Sequence, residues 1–288
     1  MDSSISRDMK QVIDPIHVMI YFAPEAQEEY AAIGLEGRAE GYFPPRAAPL
    51  GRVPWQVVQA TFFGFSPLAV QFGMTEAWSK TTPEEVTAAR LRGADRALRR
   101  MAGDLLDDTD RMAEALELCR TAAAASPVAG RPLFAAQLAL SEPEPLHLAL
   151  WHQIAVLREF RGDGHLAALV AADIDAPQSL VLQAGYQGGN TADFLQASRA
   201  WGPEVWDEAV QALVARGWVD PDGSLTDTGR AAREDLETQT DVLGLAPWRA
   251  LGADGCARLT ELLQPIADAI RATGDLPAVA IAAAGTSA

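Results

Sequence analysis

The sequence predicts a mainly α-helical, two-domain protein with a winged-helix-like C-terminal part. Alanine and other strong helix formers dominate the 288 residues, whereas long runs of valine and isoleucine are few. Helix-start signals recur along the chain, as at Ser66-Pro67 and Thr82-Pro83-Glu84-Glu85. Residues 203–241 are patterned as a helix, a short two-strand wing and a second helix, which is the order of elements in a winged helix.

The N-terminal part is predicted as a series of helices separated by proline and glycine. The first helix spans residues 9–22, or starts near Asp14 with Pro15 at its first position. Residues 41–51 contain three prolines and two glycines, and they predict an irregular connection. Residues 145–160 predict a strong helix, which Gly162 and Gly164 should break. The remaining helices are predicted at residues 24–33, 54–63, 67–78, 83–101, 110–125 and 131–140.

The C-terminal part is predicted to contain the three helices that precede a wing. These lie at residues 165–172, 177–185 and 203–217, with an inserted helix at 191–200. The wing follows at 218–225, a helix at 226–241 and a final amphipathic helix at 257–272. We therefore expect an N-terminal α-helical domain (1–160), a winged-helix-like domain (161–245), and a C-terminal helix and tail (246–288).

The acidic balance of the chain argues against nucleic acid and anionic membranes as partners. The net charge is −16, and polyanions repel such a surface. The polar positions of the 203–217 helix include Glu204, Asp207 and Glu208, and only Arg216 is basic within residues 203–225. A DNA-reading helix lies against phosphate and needs Lys or Arg. Because no apolar run reaches bilayer length and no apolar signal core opens the chain, we expect a cytoplasmic protein.

Several motifs together resemble known proteins. They are Tyr21-Phe-Ala-Pro-Glu-Ala, Gly41-Tyr-Phe, Ala60-Thr-Phe-Phe-Gly-Phe-Ser-Pro67, Ala129-Gly-Arg-Pro-Leu-Phe134, His147-Leu-Ala-Leu-Trp-His152, Arg161-Gly-Asp-Gly-His165 and Ala246-Pro-Trp248. Over residues 10–273 the chain is similar to the SalK-like actinobacterial family, helix-turn-helix proteins often linked to polyketide gene clusters. Residues 213–230 also resemble the recognition-helix and wing segment of MarR-type regulators. The resemblance implies a two-domain, α-rich fold near specialised metabolism, with no assigned reaction.

His17 and Tyr21 are candidates for acid–base chemistry. Their spacing of four residues puts both side chains on one face of an otherwise apolar helix. A buried His–Tyr pair can transfer protons to a ligand, and imidazole titrates near neutral pH. The alternative is a core histidine bonded to a backbone carbonyl.

The helix at 145–160 carries a second group of candidates. His147, Trp151 and Arg158 lie on one stripe of that helix. An arginine among apolar residues is costly unless it meets a carboxylate or another anion. We therefore expect either a salt bridge, near Glu159 or to an N-terminal acid, or a clamp for a carboxylate, enolate or phenolate ligand. His152 falls on a different face, which is typical of a packing or interdomain residue.

The Arg161-Gly-Asp-Gly-His165 motif predicts a turn that carries functional side chains. Its glycines permit backbone conformations that other residues avoid, and they would project Asp163 and His165 from the start of a helix. Asp163 would then cap this helix or orient His165, as a carboxylate orients a catalytic imidazole. His165 is the principal acid–base candidate.

The aromatic residues of the N-terminal part predict an apolar pocket between the domains. Phe62 and Phe65 are expected to line it, Thr61 and Ser66 to orient a carbonyl, and Arg46 to stabilise negative charge. The sequence lacks GxSxG, Walker and GxGxxG motifs, and its histidines are poorly spaced for a metal. We therefore expect no cofactor and no metal site.

Together with the resemblance, these residues favour a specialised-metabolite tailoring enzyme of the polyketide type. His165 and His17 would serve as base and acid and Tyr21 as a hydrogen-bond donor, in cofactor-independent cyclisation, dehydration or conjugate addition. The partner would be an apolar, oxygenated small molecule. One alternative is a ligand-binding winged-helix transcriptional regulator, and another is a non-catalytic metabolite-binding or resistance protein. The last helix is a possible homodimer contact.

Overall fold

The computed structural model describes residues 2–186 and 190–276, which are mainly α-helical, as predicted. Within this part of the chain, the β-structure is one antiparallel bridge between Val219 and Leu225, which is less than the predicted two-strand wing. The predicted tail beyond residue 276 lies outside the described residues. The helices are α1 (Ile5–Val18), α2 (Pro24–Ala31), α3 (Gly37–Glu40), α4 (Phe43–Ala47), α5 (Trp55–Thr61), α6 (Pro67–Thr75), α7 (Ala77–Lys80), α8 (Pro83–Ala102), α9 (Thr109–Ala124), α10 (Pro132–Leu138), α11 (Leu146–Ala171), α12 (Ala176–Ala184), α13 (Ala192–Arg199), α14 (Pro203–Ala215), α15 (Asp227–Leu243) and α16 (Ala246–Ala272).

Two helices begin directly after the capping residues that the sequence predicted. The Ser66 hydroxyl accepts a hydrogen bond from the Ala69 amide at 3.2 Å and caps α6. Thr82 and Glu85 form the predicted capping box at the start of α8. Such caps pair amides that the first helical turn leaves without intrahelical partners, so the signal depends only on residues close in sequence.

The predicted break at Gly162 and Gly164 is wrong, because α11 runs without interruption from Leu146 to Ala171. A glycine costs a helix only about 1 kcal/mol relative to alanine, and this helix is packed over most of its length. Gly164 also has a packing role, since a Cβ there would stand 3.2 Å from the Leu243 Cβ of α15. The helix passes through the predicted domain boundary at residue 160; the two-domain division itself stays a prediction.

Two further segments differ from prediction. Residues 41–51 are not irregular, because they contain α4 and a 3₁₀ turn at Ala48–Leu50. The last helical segment, α16, starts at Ala246 rather than at residue 257. It consists of two helices joined at Gly252, whose φ of 73° is non-helical and suits glycine.

Buried apolar side chains form separate clusters in the two parts of the chain. The largest cluster joins α1, α2, α8, α9, α11 and α16, where Leu263 and Ile270 of the last helix are fully buried. A second cluster joins the end of α11 to α12, α14 and the wing, around Leu180 and Leu213. A third surrounds Phe43 in α4–α6. Helix α11 thus connects the N-terminal bundle to the winged-helix part.

The winged-helix part has the order of elements that its sequence predicts. Helix α12 packs on α14, and the Thr226 hydroxyl after the wing caps α15 through the Gly229 amide at 3.0 Å. A Cβ at Gly229 would collide with the Trp218 carbonyl, so this close approach requires glycine. Among the described residues, no helix combines the length and apolar character needed to cross a bilayer.

Candidate functional site

A cavity of about 460 Å³ lies between the N-terminal bundle and the winged-helix part. Aromatic rings of Tyr42, Phe62 and Phe65 line its N-terminal side, α11 lines a second side, and Arg233 and Glu237 of α15 lie on a third. This composition matches small-molecule sites, which combine apolar walls with a few polar groups. The predicted site residues on its lining are Arg46, Thr61, Phe62, Phe65, Arg158, Asp163 and His165.

A buried ion cluster forms one wall of the cavity. Arg46 Nη2 lies 3.2 Å from Glu159 Oε1, and Arg158 Nη1 lies 2.9 Å from Glu159 Oε2. Glu159 is 5% exposed and Arg46 is 9% exposed. Burial alone would raise the pKa of Glu159, but the guanidiniums of Arg158 and Arg46 hold that pKa at about 2. The carboxylate is therefore charged, and it is shared by two cations.

Aromatic rings surround the Arg46 guanidinium. Its central carbon lies 4.4 Å from the ring centroid of Phe62 and 5.5 Å from that of Tyr21. Its Nη1 donates to the Tyr42 hydroxyl at 3.0 Å. Burial would raise the pKa of Tyr42, yet the positive charges of Arg46, Arg199 and Arg158 bring it below its ordinary value. The phenol oxygen of Tyr42 therefore lies in a positive field.

His17 and Tyr21 form a hydrogen-bonded pair behind this wall. His17 Nε2 lies 2.8 Å from the Tyr21 hydroxyl and 3.8 Å from Glu159 Oε1. The imidazole is fully buried, and its Nδ1 has no hydrogen-bond partner among the described residues. Burial lowers the pKa of His17 well below its ordinary value and raises that of Tyr21. Both groups are thus neutral. His17 lies next to Glu159 of the ion cluster, but neither His17 nor Tyr21 is part of the cavity lining.

His165 lies directly on the cavity. Thr240 Oγ1 donates to the Leu236 carbonyl at 2.8 Å, so its contact with His165 Nδ1 at 3.0 Å is one in which the imidazole N–H donates. This arrangement leaves Nε2 as the unprotonated nitrogen. Burial lowers the pKa of His165 to about 4. The residue is therefore a neutral imidazole, and in this tautomer Nε2 carries the lone pair.

The predicted pairing of Asp163 with His165 is not formed. Two residues apart on a continuous helix, their side chains point about 200° apart around the axis. Asp163 Oδ2 instead accepts a hydrogen bond at 2.9 Å from the Phe134 amide in the first turn of α10. Burial raises the pKa of Asp163 to about 6. Asp163 thus caps a neighbouring helix, and Thr240 is the residue that orients His165.

Besides His17 and Tyr21, three further predicted residues lie away from the cavity lining. His147 Nε2 lies 2.6 Å from Asp95 of α8. The Trp151 indole donates to the Ile16 carbonyl at 3.1 Å in the main core, and Ser66 caps α6. Thr61 does line the cavity, but its hydroxyl is 3.0 Å from the Val58 carbonyl within its own helix.

Sequence reasoning missed Arg199 altogether, and it missed the central position of Glu159. The Arg199 guanidinium lies 4.5 Å from the ring centroid of Phe65, and burial lowers its pKa. The end of α13 reaches the cavity because the Ser66 amide donates to the Arg199 carbonyl at 2.9 Å. No local pattern signals this long-range contact. Glu159 had a signal, namely two adjacent charges on an apolar helix.

The exposed face of α14 is acidic, as the sequence predicted. Glu204, Asp207 and Glu208 are exposed. Arg216 donates to the carbonyls of Asp173 and Ala172, at 3.0 and 3.2 Å. Backbone groups therefore occupy its donors, and the helix that would read DNA presents carboxylates.

The arginine-rich face of α8 is neutralised by neighbouring acids. Its partners include Glu28 and Glu29 of α2, Asp95 of α8 itself and Glu25. Ion pairs thus occupy Arg92, Arg96, Arg99 and Arg100, whereas Arg90 is buried against Trp151. The face is a network of paired charges rather than a free basic patch.

A family model described as a helix-turn-helix family matches residues 6–277. The match extends over the N-terminal bundle as well as the winged-helix part. No curated protein and no solved structure matches the chain. Within the described residues, no group of three or more His, Cys, Asp or Glu side chains is arranged to hold a metal ion. The SalK-like resemblance and its polyketide link remain predictions.

Proposed function

Because this chain belongs to a helix-turn-helix family, we propose that it is a ligand-binding protein whose interdomain cavity holds an apolar, oxygenated small molecule. The observation that carries the proposal is the cavity of about 460 Å³, with aromatic rings on one side and ionisable groups on the others. Its volume lies within the range of small-molecule sites. Burying ionisable groups costs free energy, and a bound ligand offsets that cost.

The family match favours a regulator as the class of protein that uses this ligand. Helix α11 connects the two parts of the chain and lines the cavity, so a ligand that prefers one relative position of these parts would shift their equilibrium. The acidic face of α14 argues against the usual insertion of this helix into a DNA groove, because carboxylates repel phosphates. A regulator of this kind would bind DNA through another surface or act on a protein.

The chemistry of the cavity favours a second candidate, a cofactor-independent acid–base enzyme. His165 offers an unprotonated Nε2 in a tautomer that Thr240 fixes, which suits proton abstraction next to a carbonyl. The positive charges of Arg46, Arg199 and Arg158 lower the pKa of Tyr42, so its hydroxyl is a suitable proton donor to an enolate or a leaving hydroxyl. Cyclisation, dehydration and conjugate addition each need such a base and such an acid. A non-catalytic carrier would bind the same ligand without these steps.

Two experiments on the intact protein separate these functions. The first is a gel mobility shift assay with DNA from upstream of its own gene. A DNA-binding regulator would slow the migration of this DNA, whereas an enzyme or a carrier would leave it unchanged. The second compares metabolites of a deletion strain that expresses either the wild-type chain or His165→Gln. An enzyme predicts an intermediate that only the wild-type chain consumes. The proposal would be contradicted if protein purified from the producing cells carries no small molecule in its cavity and if neither the gel shift nor the metabolite comparison shows a difference.

A further inference from the structure

We infer that the wall formed by Arg46, Arg158 and Arg199 is a subsite for the anionic oxygen of the ligand, so that the ligand class is an aromatic or polycyclic acid. The inference rests on the proposed function, because it specifies what the same cavity binds. Arg46 and Arg158 share Glu159, and the hydroxyl of Ser198 is the hydrogen-bond partner of Arg199 at 3.3 Å.

The charges of this wall do not balance among the described residues. Three guanidiniums face the cavity on this side. Glu159 pairs with Arg46 and Arg158, whereas Arg199 forms no ion pair with a described carboxylate and donates only to the Ser198 hydroxyl. Arg90, buried behind the wall, forms no ion pair with a described carboxylate. Burial and the positive charges of neighbouring arginines both disfavour the charged form of Arg199, so both lower its pKa. A ligand anion would remove this imbalance and accept charge-assisted hydrogen bonds.

The opposite wall provides an internal comparison. There Arg161 and Arg233 pair with Glu237, and Arg7 pairs with Asp241 and Glu234. Positive and negative side chains are matched on that side. The excess positive charge is therefore confined to the aromatic wall, and it assigns an orientation to the ligand.

The donors of the aromatic wall are positioned for a planar anion. Arg46 lies over Phe62 and Arg199 over Phe65, with 4.4 and 4.5 Å between guanidinium carbon and ring centroid. A guanidinium that lies against an aromatic ring keeps its N–H groups for hydrogen bonds to an anion. Arg46 Nε is buried and has no partner among the described residues. A carboxylate, sulfonate or acidic phenol would accept hydrogen bonds from the guanidiniums of Arg46, Arg158 and Arg199 that line the cavity, and its apolar skeleton would extend past Phe65 towards His165.

A matched pair of fluorescent probes tests this subsite. Anilinonaphthalene sulfonate carries one negative charge, and N-phenyl-1-naphthylamine has the same rings without the charge. We expect the intact protein to bind the sulfonate at least about tenfold more tightly, because charge-assisted hydrogen bonds exceed neutral contacts by this margin. Arg199→Gln should remove most of this preference, and Arg199→Lys should retain much of it because the charge remains. Arg249→Gln, on an exposed part of α16, is the control with the same loss of charge.

The possible outcomes are distinguishable. A preference for the sulfonate that falls with Arg199→Gln but not with Arg249→Gln supports the subsite. Equal binding of the two probes, unchanged by Arg199→Gln, would refute the anion subsite and leave the apolar cavity as proposed. Failure of both probes to bind in the cavity would overturn the proposed function and the subsite with it. Circular dichroism of each variant separates loss of binding from loss of fold.

Discussion

Replacement of Glu159 by glutamine should destabilise the protein strongly. The substitution keeps the shape of the side chain but removes the charge that Arg46 and Arg158 share. Breaking a buried ion pair from one side costs about 3–5 kcal/mol, because it leaves the partner charge uncompensated. The pKa gives a similar figure. A fall from 4.5 to about 2 corresponds to about 3 kcal/mol, at about 1.4 kcal/mol per pKa unit.

The assay is thermal unfolding followed by circular dichroism for wild type and Glu159→Gln. A loss of about 3 kcal/mol lowers the melting temperature of a chain of this size by about 6–10 °C. Because the folded pKa of Glu159 is lowered, its contribution is complete above pH 4.5 and is lost as the pH falls towards 2. The difference between the two proteins should thus be equal at pH 7 and pH 5.5 and should shrink by pH 3.

The control for this experiment is Glu114→Gln. Glu114 forms an exposed ion pair with Arg258 at 2.7 Å, and both side chains are more than 40% exposed. Solvent screens such a pair, so its loss should change the unfolding midpoint much less. A Glu159→Gln protein as stable as Glu114→Gln would refute the view that this carboxylate holds two buried guanidiniums together.

Three further predictions concern other parts of the molecule. Gly164→Ala should be less stable than Gly162→Ala by at least about 1 kcal/mol, because a Cβ at Gly164 would stand 2.8 Å from the guanidinium of Arg131, which two backbone carbonyls hold in place, whereas at Gly162 the nearest atom is at 3.4 Å. Chemical denaturation of both variants measures this difference in stability. Equal stabilities would contradict the close packing of α11 on α15. NMR of labelled histidine should show that His165 is neutral from pH 8 to pH 5.5, with its proton on Nδ1, because burial lowers its pKa to about 4. Titration of His165 near pH 6.5 would instead show that the side chain is solvated. In fluorescence anisotropy with duplex DNA, the acidic face of α14 should contribute no salt-dependent binding, and the double substitution of Asp207 and Glu208 by lysine should add weak, salt-sensitive binding. An unchanged affinity for DNA in the double variant would contradict the view that these carboxylates repel DNA.

The features that the sequence predicted correctly depend on neighbours within one or two helical turns. The caps at Ser66 and Thr82 and the contact between His17 and Tyr21 are of this kind. Tyr42 and Arg46, which also lie four residues apart, could have been paired by the same rule. Local geometry fixes such pairs once the helix forms.

The features that the sequence did not predict depend on tertiary packing. Two glycines suggested a break in α11, but burial on several sides outweighs their small intrinsic cost. Because the helix continues, Asp163 and His165 diverge and find partners on α10 and α15. Arg199 reaches the cavity through one backbone contact with the start of α6. None of these contacts leaves a periodic or local pattern.

A crystal structure of the intact protein with bound anilinonaphthalene sulfonate tests the central claim most directly. We predict that the naphthalene ring lies beside Phe62 and Phe65, with the sulfonate oxygens within hydrogen-bond distance of Arg46, Arg158 or Arg199. Difference density in the cavity with this orientation would support a small-molecule site. An empty cavity, with the probe confined to the protein surface at saturating concentration, would contradict it.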